Sequence, residues 1–214
     1  MEIQDITFIL EILGTIAFAA SGAMVGIKRK MDIVGVCVLG VVTAVGGGMT
    51  RDIILGVTPP TVFLQPSYAL VAMITSCVVF LILYLKKELL EGNFKVVYDH
   101  IMLVMDSIGL GIFTVVGVNA GILQGYAEET FFLVFLGTIT GVGGGLLRDM
   151  MAGVPPYIFV RHIYACASIV GAITCVYMYR YFGAVEAMVV SSAVIILIRY
   201  LAAHYHWNLP RLNF

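Results

Sequence analysis

Seven apolar stretches alternate with short polar segments along the chain. Each stretch is long enough for a membrane-spanning α-helix, which needs about 20 mainly apolar residues to cross a hydrocarbon layer of about 30 Å. The pattern therefore predicts an all-α membrane protein, with a single membrane domain over residues 1–214 and no separate soluble domain. The predicted spans cover residues 6–27, 33–57, 67–85, 101–123, 130–154, 163–182 and 184–203.

The composition supports a membrane protein and argues against nucleic acid as a partner. Hydrophobic residues make up 61% of the sequence and charged residues 12%, whereas a soluble domain is about 45–50% apolar. A water-soluble fold could not bury that much apolar surface. The net charge is −1 and there is no long basic run, so the clustered Lys and Arg that bind phosphates are missing from the sequence.

Basic residues concentrate in alternate connecting segments, which indicates how the chain is oriented. Cytoplasmic loops retain Lys and Arg, so we expect a multi-pass protein of the cell (inner) membrane with its N-terminus outside and its C-terminus in the cytoplasm. Arg180 is the exception to this distribution. The segments after the first, third, fifth and seventh spans contain Lys28, Arg29, Lys30, Lys86, Lys87, Lys95, Arg161 and Arg211.

An internal repeat relates the two halves of the chain. The heptapeptide GGGMTRD at 46–52 recurs as GGGLLRD at 143–149, and each copy is followed by a glycine and a proline at matching positions. The repeats cover 6–85 and 101–182, which leaves the seventh span, 184–203, unpaired. Because each repeat has three spans, the second must enter the bilayer from the opposite side. The sequence thus predicts two inverted repeats, an arrangement that commonly places a solute pathway at the repeat interface.

The glycine triplets allow two interpretations. Small residues let membrane helices approach closely, or the triplet forms a kink or an unwound turn whose carbonyls line a polar cavity. The duplication beside two Arg-Asp pairs favours the second interpretation. Thr43 and Thr140 could add hydroxyl oxygens to such a pathway, although Thr in a membrane helix more often bonds to its own backbone. The glycines are Gly46, Gly47, Gly48, Gly143, Gly144 and Gly145.

Six charged residues inside the predicted spans occupy matching positions in the two repeats. Burying a charge in a membrane costs about 2.5–3.5 kcal/mol on insertion scales, so such residues usually face a partner or a wet cavity. Neighbours on a helix point about 100° apart, so neither Arg should face the Asp that follows it. Matching depths instead predict that Glu11 pairs with Arg51 and that Asp106 pairs with Arg148, as structural staples or as gates. The six residues are Glu11, Arg51, Asp52, Asp106, Arg148 and Asp149.

No sequence pattern indicates catalysis or a cofactor. A nucleophile elbow, an HExxH motif and a Walker A loop are all missing from the sequence. The four cysteines fall in apolar stretches without CxxC spacing, so they are interpreted as core residues rather than metal ligands. We therefore expect a protein that is not an enzyme and that has no resident metal or cofactor.

The duplicated Gly-Gly-Gly-x-x-Arg-Asp motif resembles that of the prokaryotic branch of the trimeric intracellular cation (TRIC) channel family. The resemblance implies a homotrimer in which each protomer holds a pore for potassium and sodium ions, lined by second and fifth helices that kink at the glycines. Its partners would be the lipid bilayer, other copies of the chain and small cations. The same domain family includes bacterial carriers of small amino acids, notably glycine, which gives a second hypothesis.

Overall fold

The computed structural model describes residues 3–86, 94–160 and 163–207. Within these residues, seven helices are long and apolar enough to cross a membrane, which confirms the predicted number of spans. Of the basic residues used for the orientation, Lys87, Arg161 and Arg211 lie outside the described residues. The helices are α1 (Ile3–Lys28), α2 (Ile33–Ile54), α3 (Thr61–Leu64), α4 (Ser67–Leu85), α5 (Phe94–Leu123), α6 (Thr130–Met151), α7 (Tyr157–Val160), α8 (Ala165–Phe182) and α9 (Ala184–His204).

Two spans end earlier than the apolar pattern predicts, because a glycine closes each helix. The backbone of Gly56 has a φ of 72° and that of Gly153 a φ of 62°, a conformation that favours glycine. After α2, the Gly56 N–H donates to the Ile53 carbonyl at 3.1 Å and the Val57 N–H to the Asp52 carbonyl at 2.9 Å. This is a Schellman cap, so α2 and α6 end at residues 54 and 151 rather than at 57 and 154.

The fourth span is longer than predicted. Helix α5 begins at Phe94 rather than at residue 101. Its first two turns contain polar residues, so they do not extend the apolar run, although one face of these turns is partly buried. Tyr98 is buried there, and the Lys28 ammonium lies 3.8 Å from the centre of its ring. This cation–π contact links the end of α1 to the beginning of α5.

The long helices form two three-helix bundles that meet along α2 and α6. Helices α1, α2 and α4 pack together in the first repeat, and α5, α6 and α8 do so in the second. Helix α1 also packs on α5, and α9 packs on α5 and α8. Three spans per repeat reverse the chain's direction through the bilayer, so the repeats are inverted.

Arg29 connects the first repeat to the second through two hydrogen bonds. After α1, Arg29 Nε donates to the Ala152 carbonyl at 2.9 Å, and its Nη2 donates to the Gly153 carbonyl at 3.1 Å. These carbonyls follow the last turn of α6, where a positive charge is favourable. Arg29 therefore ties the end of α1 to the end of α6.

The glycine triplets do not unwind their helices. Helical structure continues through residues 46–48 and 143–145, so the predicted unwound turn is wrong. A Cβ atom on Gly47 would lie 2.1 Å from the Thr140 carbonyl oxygen, and one on Gly144 would lie 2.1 Å from the Thr43 carbonyl oxygen. These two glycines let the backbones of α2 and α6 touch, which is the packing role that small residues have in membranes.

The two threonines at this crossing have no free hydroxyl hydrogen to offer. Thr43 donates to the Leu39 carbonyl and Thr140 to the Leu136 carbonyl, both at 2.6 Å. Each is fully buried. Each hydroxyl donates its hydrogen to its own helix but keeps its oxygen lone pairs, so the expectation that these oxygens line an ion pathway stays a prediction.

We expect Gly47→Ala to destabilise the protein and Gly48→Ala to be tolerated. A Cβ at Gly47 would collide with backbone, and overpacking typically costs about 1–3 kcal/mol. At Gly48 the nearest atom to a new Cβ is Arg51 Nη2, at 3.9 Å. Thermal unfolding of both variants in detergent tests this difference. Equal midpoints would contradict the close contact of α2 with α6.

Candidate functional site

Two matching groups of charged residues lie at the ends of α2 and α6. The first cluster is Glu11, Arg51, Asp52 and Tyr68; the second cluster is Asp106, Arg148, Asp149 and Tyr164. Their arginines and aspartates are equivalent in the two heptapeptides, and the tyrosines occupy matching positions one residue out of register. The clusters thus repeat the internal symmetry of the chain at the level of side chains.

Within each cluster, the arginine pairs with the aspartate that follows it. Arg51 Nε lies 2.9 Å from Asp52 Oδ1, and Arg148 Nε lies 2.8 Å from Asp149 Oδ1. The expectation that these neighbours do not face each other is wrong. Their Cβ atoms do diverge, but the long arginine side chain reaches sideways across the last turn of its helix.

The second carboxylate oxygen of each aspartate holds the start of a short helix. Asp52 Oδ2 accepts a hydrogen bond from the Thr61 N–H, and Asp149 Oδ2 accepts one from the Tyr157 N–H, both at 2.8 Å. The apolar pattern did not predict these helices, α3 and α7, because each is only 4 residues long. Each aspartate therefore joins an intramembrane arginine to the chain that returns toward the next span.

The second cluster contains the predicted ion pair between α5 and α6. Arg148 Nη1 lies 2.5 Å from Asp106 Oδ1. The Ser21 hydroxyl, from α1, accepts a bond from Arg148 and lies 3.3 Å from Asp106 Oδ1. The side chains of Arg148 and Asp106 are both 0% exposed, so a residue of the first repeat helps to enclose this pair.

The first cluster does not contain the equivalent direct pair. The Glu11 carboxylate accepts a hydrogen bond from the Tyr68 hydroxyl instead of bonding to Arg51. Arg51 is already paired with Asp52, and Tyr68 on α4 supplies the donor that Glu11 needs. The predicted Glu11–Arg51 contact is therefore wrong, although both side chains line one cavity.

That cavity has a volume of about 50 Å³. A site needs roughly 10–15 Å³ of this kind of volume to hold one water molecule, so the cavity has room for several. Glu11 and Asp52 contribute two carboxylates to its wall and Arg51 contributes one guanidinium. The remaining lining residues are Thr15, Ala44, Val45, Gly48, Met49, Thr61, Val62, Tyr68 and Phe113.

The third glycine of each triplet faces the cluster of its own repeat. Gly48 borders the cavity of the first cluster. A Cβ on Gly145 would lie 3.1 Å from the Tyr164 hydroxyl oxygen and 3.6 Å from Arg148 Nη2. The triplets thus divide their roles: Gly47 and Gly144 let the helices touch, Gly48 leaves space beside the first cluster, and Gly145 lets the Tyr164 hydroxyl pack closely against α6.

The second cluster has an extra basic neighbour from the unpaired seventh span. Arg199 on α9 is 2% exposed, and its Cζ lies 4.7 Å from the centre of the Tyr164 ring. Among the described residues, its Nε and Nη1 have no hydrogen-bond partner, and neither do Asp106 Oδ2, Arg148 Nη2 and the Tyr164 hydroxyl. The second cluster is therefore enclosed and rich in polar groups that the described part of the chain leaves without a partner.

Arg199 and the two tyrosines were not predicted from the sequence. Arg199 lies in the span without a partner in the repeat, so symmetry gave no reason to select it. Tyr68 and Tyr164 did carry a signal, since they follow the two motifs at nearly equal distances. Within the described residues, no group of three or more potential metal ligands comes together.

Together, these features define a polytopic α-helical membrane protein with two inverted repeats, each carrying a buried Arg-Asp cluster. A family model described as Glycine transporter matches residues 8–84 and 103–180. The UPF0126 inner membrane protein YadS of Escherichia coli is 37% identical over 205 residues, which is 94% of this chain and 93% of that protein. The chain belongs to the family whose model is described as Glycine transporter.

Other relatives and solved structures agree with that assignment. The UPF0126 membrane protein YvgT of Bacillus subtilis is 31% identical and covers 96% of both chains. A prokaryotic TRIC channel crystallised in 0.5 M KCl superposes with a TM-score of 0.85 at 28% identity, covering 97% of this chain and 100% of the other.

The TRIC orthologue from Rhodobacter sphaeroides superposes with a TM-score of 0.83 at 29% identity, covering 94% of this chain and 98% of that one. The expected likeness to TRIC proteins and the predicted fold are confirmed. These relatives are named as ion channels, which agrees with the prediction that the chain is not an enzyme.

We expect Asp106→Asn to lower the free energy of unfolding far more than Glu11→Gln. Removing one partner of a buried ion pair typically costs about 3–5 kcal/mol. At Glu11, a Gln side chain still accepts the Tyr68 hydrogen bond beside a cavity that has room for water, so we expect a loss of about 1 kcal/mol. Chemical unfolding in detergent measures both. Similar losses would show that the two clusters are equally enclosed.

Proposed function

We propose that the protein is a channel for monovalent cations such as potassium and sodium, with a pathway in each protomer along α2 and α6. The observation that carries the proposal is the matched pair of Arg-Asp clusters on either side of the glycine crossing. Inverted repeats often place a solute pathway at such an interface. Similarity to solved TRIC cation channels supports the same activity for this chain.

The charges of the first cluster suit a cation. Asp52 neutralises Arg51 through the 2.9 Å hydrogen bond, which leaves Glu11 as the additional charged group in the cavity wall. Carboxylates around an aqueous cavity attract cations and can replace part of their hydration shell. Without Asp52, the guanidinium of Arg51 would repel the same ions. We therefore assign the first cluster to the mouth of the pathway.

The second cluster acts as the closed end of the pathway. Asp106 and Asp149 both bond to Arg148, and all three side chains are at most 1% exposed. A cation cannot pass between groups that are bonded to each other at 2.5 Å and 2.8 Å. Opening requires Arg148 to leave Asp106. In this proposal the charged groups control passage rather than serving only as structural staples.

A carrier of glycine is the second candidate, favoured by the description of the matching family model. The first cluster offers carboxylates to an ammonium group and a guanidinium to a carboxylate. A carrier binds its solute saturably and exposes the site to one side at a time, whereas a channel passes many ions per opening. The two candidates therefore differ in transport kinetics.

Assembly and orientation are part of the same proposal. We infer a homotrimer, since the related channels are described as trimeric, with the N-terminus outside and the C-terminus in the cytoplasm. Lys28 at the end of α1 and Arg29 and Lys30 directly after it support this orientation. Mass measurement of the detergent-solubilised complex and reporter fusions to the C-terminus address each point.

Purified protein in planar bilayers under a potassium gradient should show unitary current steps that reverse near the potassium equilibrium potential. Liposomes containing the same protein should show no saturable uptake of labelled glycine above that of empty liposomes. Silent bilayers together with saturable glycine uptake would replace the channel by the carrier.

Gly48→Leu should reduce the potassium current at least severalfold, because the new side chain would enter the cavity of about 50 Å³ between Glu11 and Arg51. Val38→Leu is the matched control, since Val38 lies on the exposed face of the same helix. We expect the control to retain the wild-type current. An unchanged current in folded Gly48→Leu would contradict a pathway through this cavity.

A further inference from the structure

Two phenylalanine rings meet between the charged clusters. Phe18 on α1 and Phe113 on α5 occupy equivalent positions in the two repeats, each seven residues after the acid of its cluster. Their ring centroids are 5.2 Å apart and their planes are tilted by 32°. Both rings are buried, at 1% and 8% exposure. The repeat symmetry therefore brings two large apolar groups face to face at its centre.

Each ring reaches across to the other repeat. A Cβ on Gly109 would lie 2.1 Å from Phe18 Cδ1, and one on Gly144 would lie 3.3 Å from the same ring. In the opposite direction, a Cβ on Gly14 would lie 3.1 Å from Phe113 Cε2. The rings fit against the opposite repeat because these glycines have no side chain. The exchange is reciprocal, as an inverted repeat requires.

The rings lie between the two clusters rather than elsewhere in the core. Phe113 forms part of the wall of the first cluster's cavity, together with Gly48. Phe18 touches Gly144, whose neighbour Gly145 faces the Tyr164 hydroxyl of the second cluster. The surroundings are apolar, since Ala19 and Ala44 pack in the same group of side chains. A path from one cluster to the other thus changes from charged to apolar and back to charged.

We propose that Phe18 and Phe113 form a hydrophobic constriction that blocks ion passage between the two clusters; this rests on the proposed channel function. An ion that enters an apolar constriction loses water without gaining replacement oxygens, so such a segment stops conduction by dewetting. Opening then requires the rings to separate or to turn.

Core packing alone would explain buried rings, so the test must separate polarity from size. Leu and Asn have the same number and branching of side-chain heavy atoms and differ in polarity. If the rings only fill space, both substitutions leave a similar cavity and similar ion flux. If they exclude water, Asn admits water and ions while Leu keeps the segment dry.

Potassium efflux from liposomes, measured for Phe113→Leu, Phe113→Asn and the same two changes at Phe18, tests the proposal. We expect each Asn variant to exceed its Leu partner by roughly tenfold or more, because an amide can hydrogen-bond to a partly dehydrated ion's water. Phe80→Asn is the control: Phe80 lies on α4 and stacks against Tyr84, away from the rings. This control should keep the wild-type flux.

Melting temperatures must show that each variant is folded. Phe113→Tyr, which keeps the ring and adds a hydroxyl, provides a milder polar change if Asn prevents folding, and its flux should exceed that of Phe113→Leu. Folded polar variants that conduct no more than the Leu variants overturn the constriction. Absence of current from the wild type in planar bilayers contradicts the channel itself, and is measured separately.

Discussion

Backbone contact between α2 and α6 at Gly47 and Gly144 is the constraint on which the rest of the structure depends. It fixes the separation of the two repeats, because each glycine lies directly against a carbonyl of the other helix. Phe18 can then reach Gly144, and Ser21 can reach Arg148. A wider crossing would break both connections. The exact symmetry of the two contacts also explains why the same tripeptide is needed twice.

The aspartates after the arginines solve a problem that the bilayer imposes. A guanidinium buried near a helix end needs an acceptor, and the backbone that leaves the helix needs partners for its N–H groups. Asp52 and Asp149 meet both needs, with one oxygen for the arginine and one for the start of a short helix. The charged pair and the loop that leads to the short helix are therefore one structural unit. Movement of the arginine would displace the aspartate and with it the start of that short helix.

The spans, the repeat and one ion pair could be predicted from the sequence. Contacts for which side chains from several helices compete could not. Apolar runs of helix length specify seven spans, and matching depths identified Asp106 as the partner of Arg148. Matching depths gave the wrong partner for Glu11, because its hydrogen-bond donor, Tyr68, comes from a third helix, α4. The expectation that neighbouring helix residues point apart was wrong for Arg51 and Asp52, since Cβ direction says little about the reach of an arginine. The glycine triplets were misread as breaks, because composition does not show which backbone lies opposite a glycine.

Helix α9, which has no counterpart in the repeat, gives the two charged clusters different surroundings. Arg199 lies beside the second cluster only, so exchanging the conformations of the two repeats would not reproduce the starting structure. Any state in which the repeats had exchanged conformations would therefore differ from this one in free energy, and a difference of about 1.4 kcal/mol corresponds to a tenfold ratio of populations. The seventh helix thus makes the two ends of the duplicated unit inequivalent.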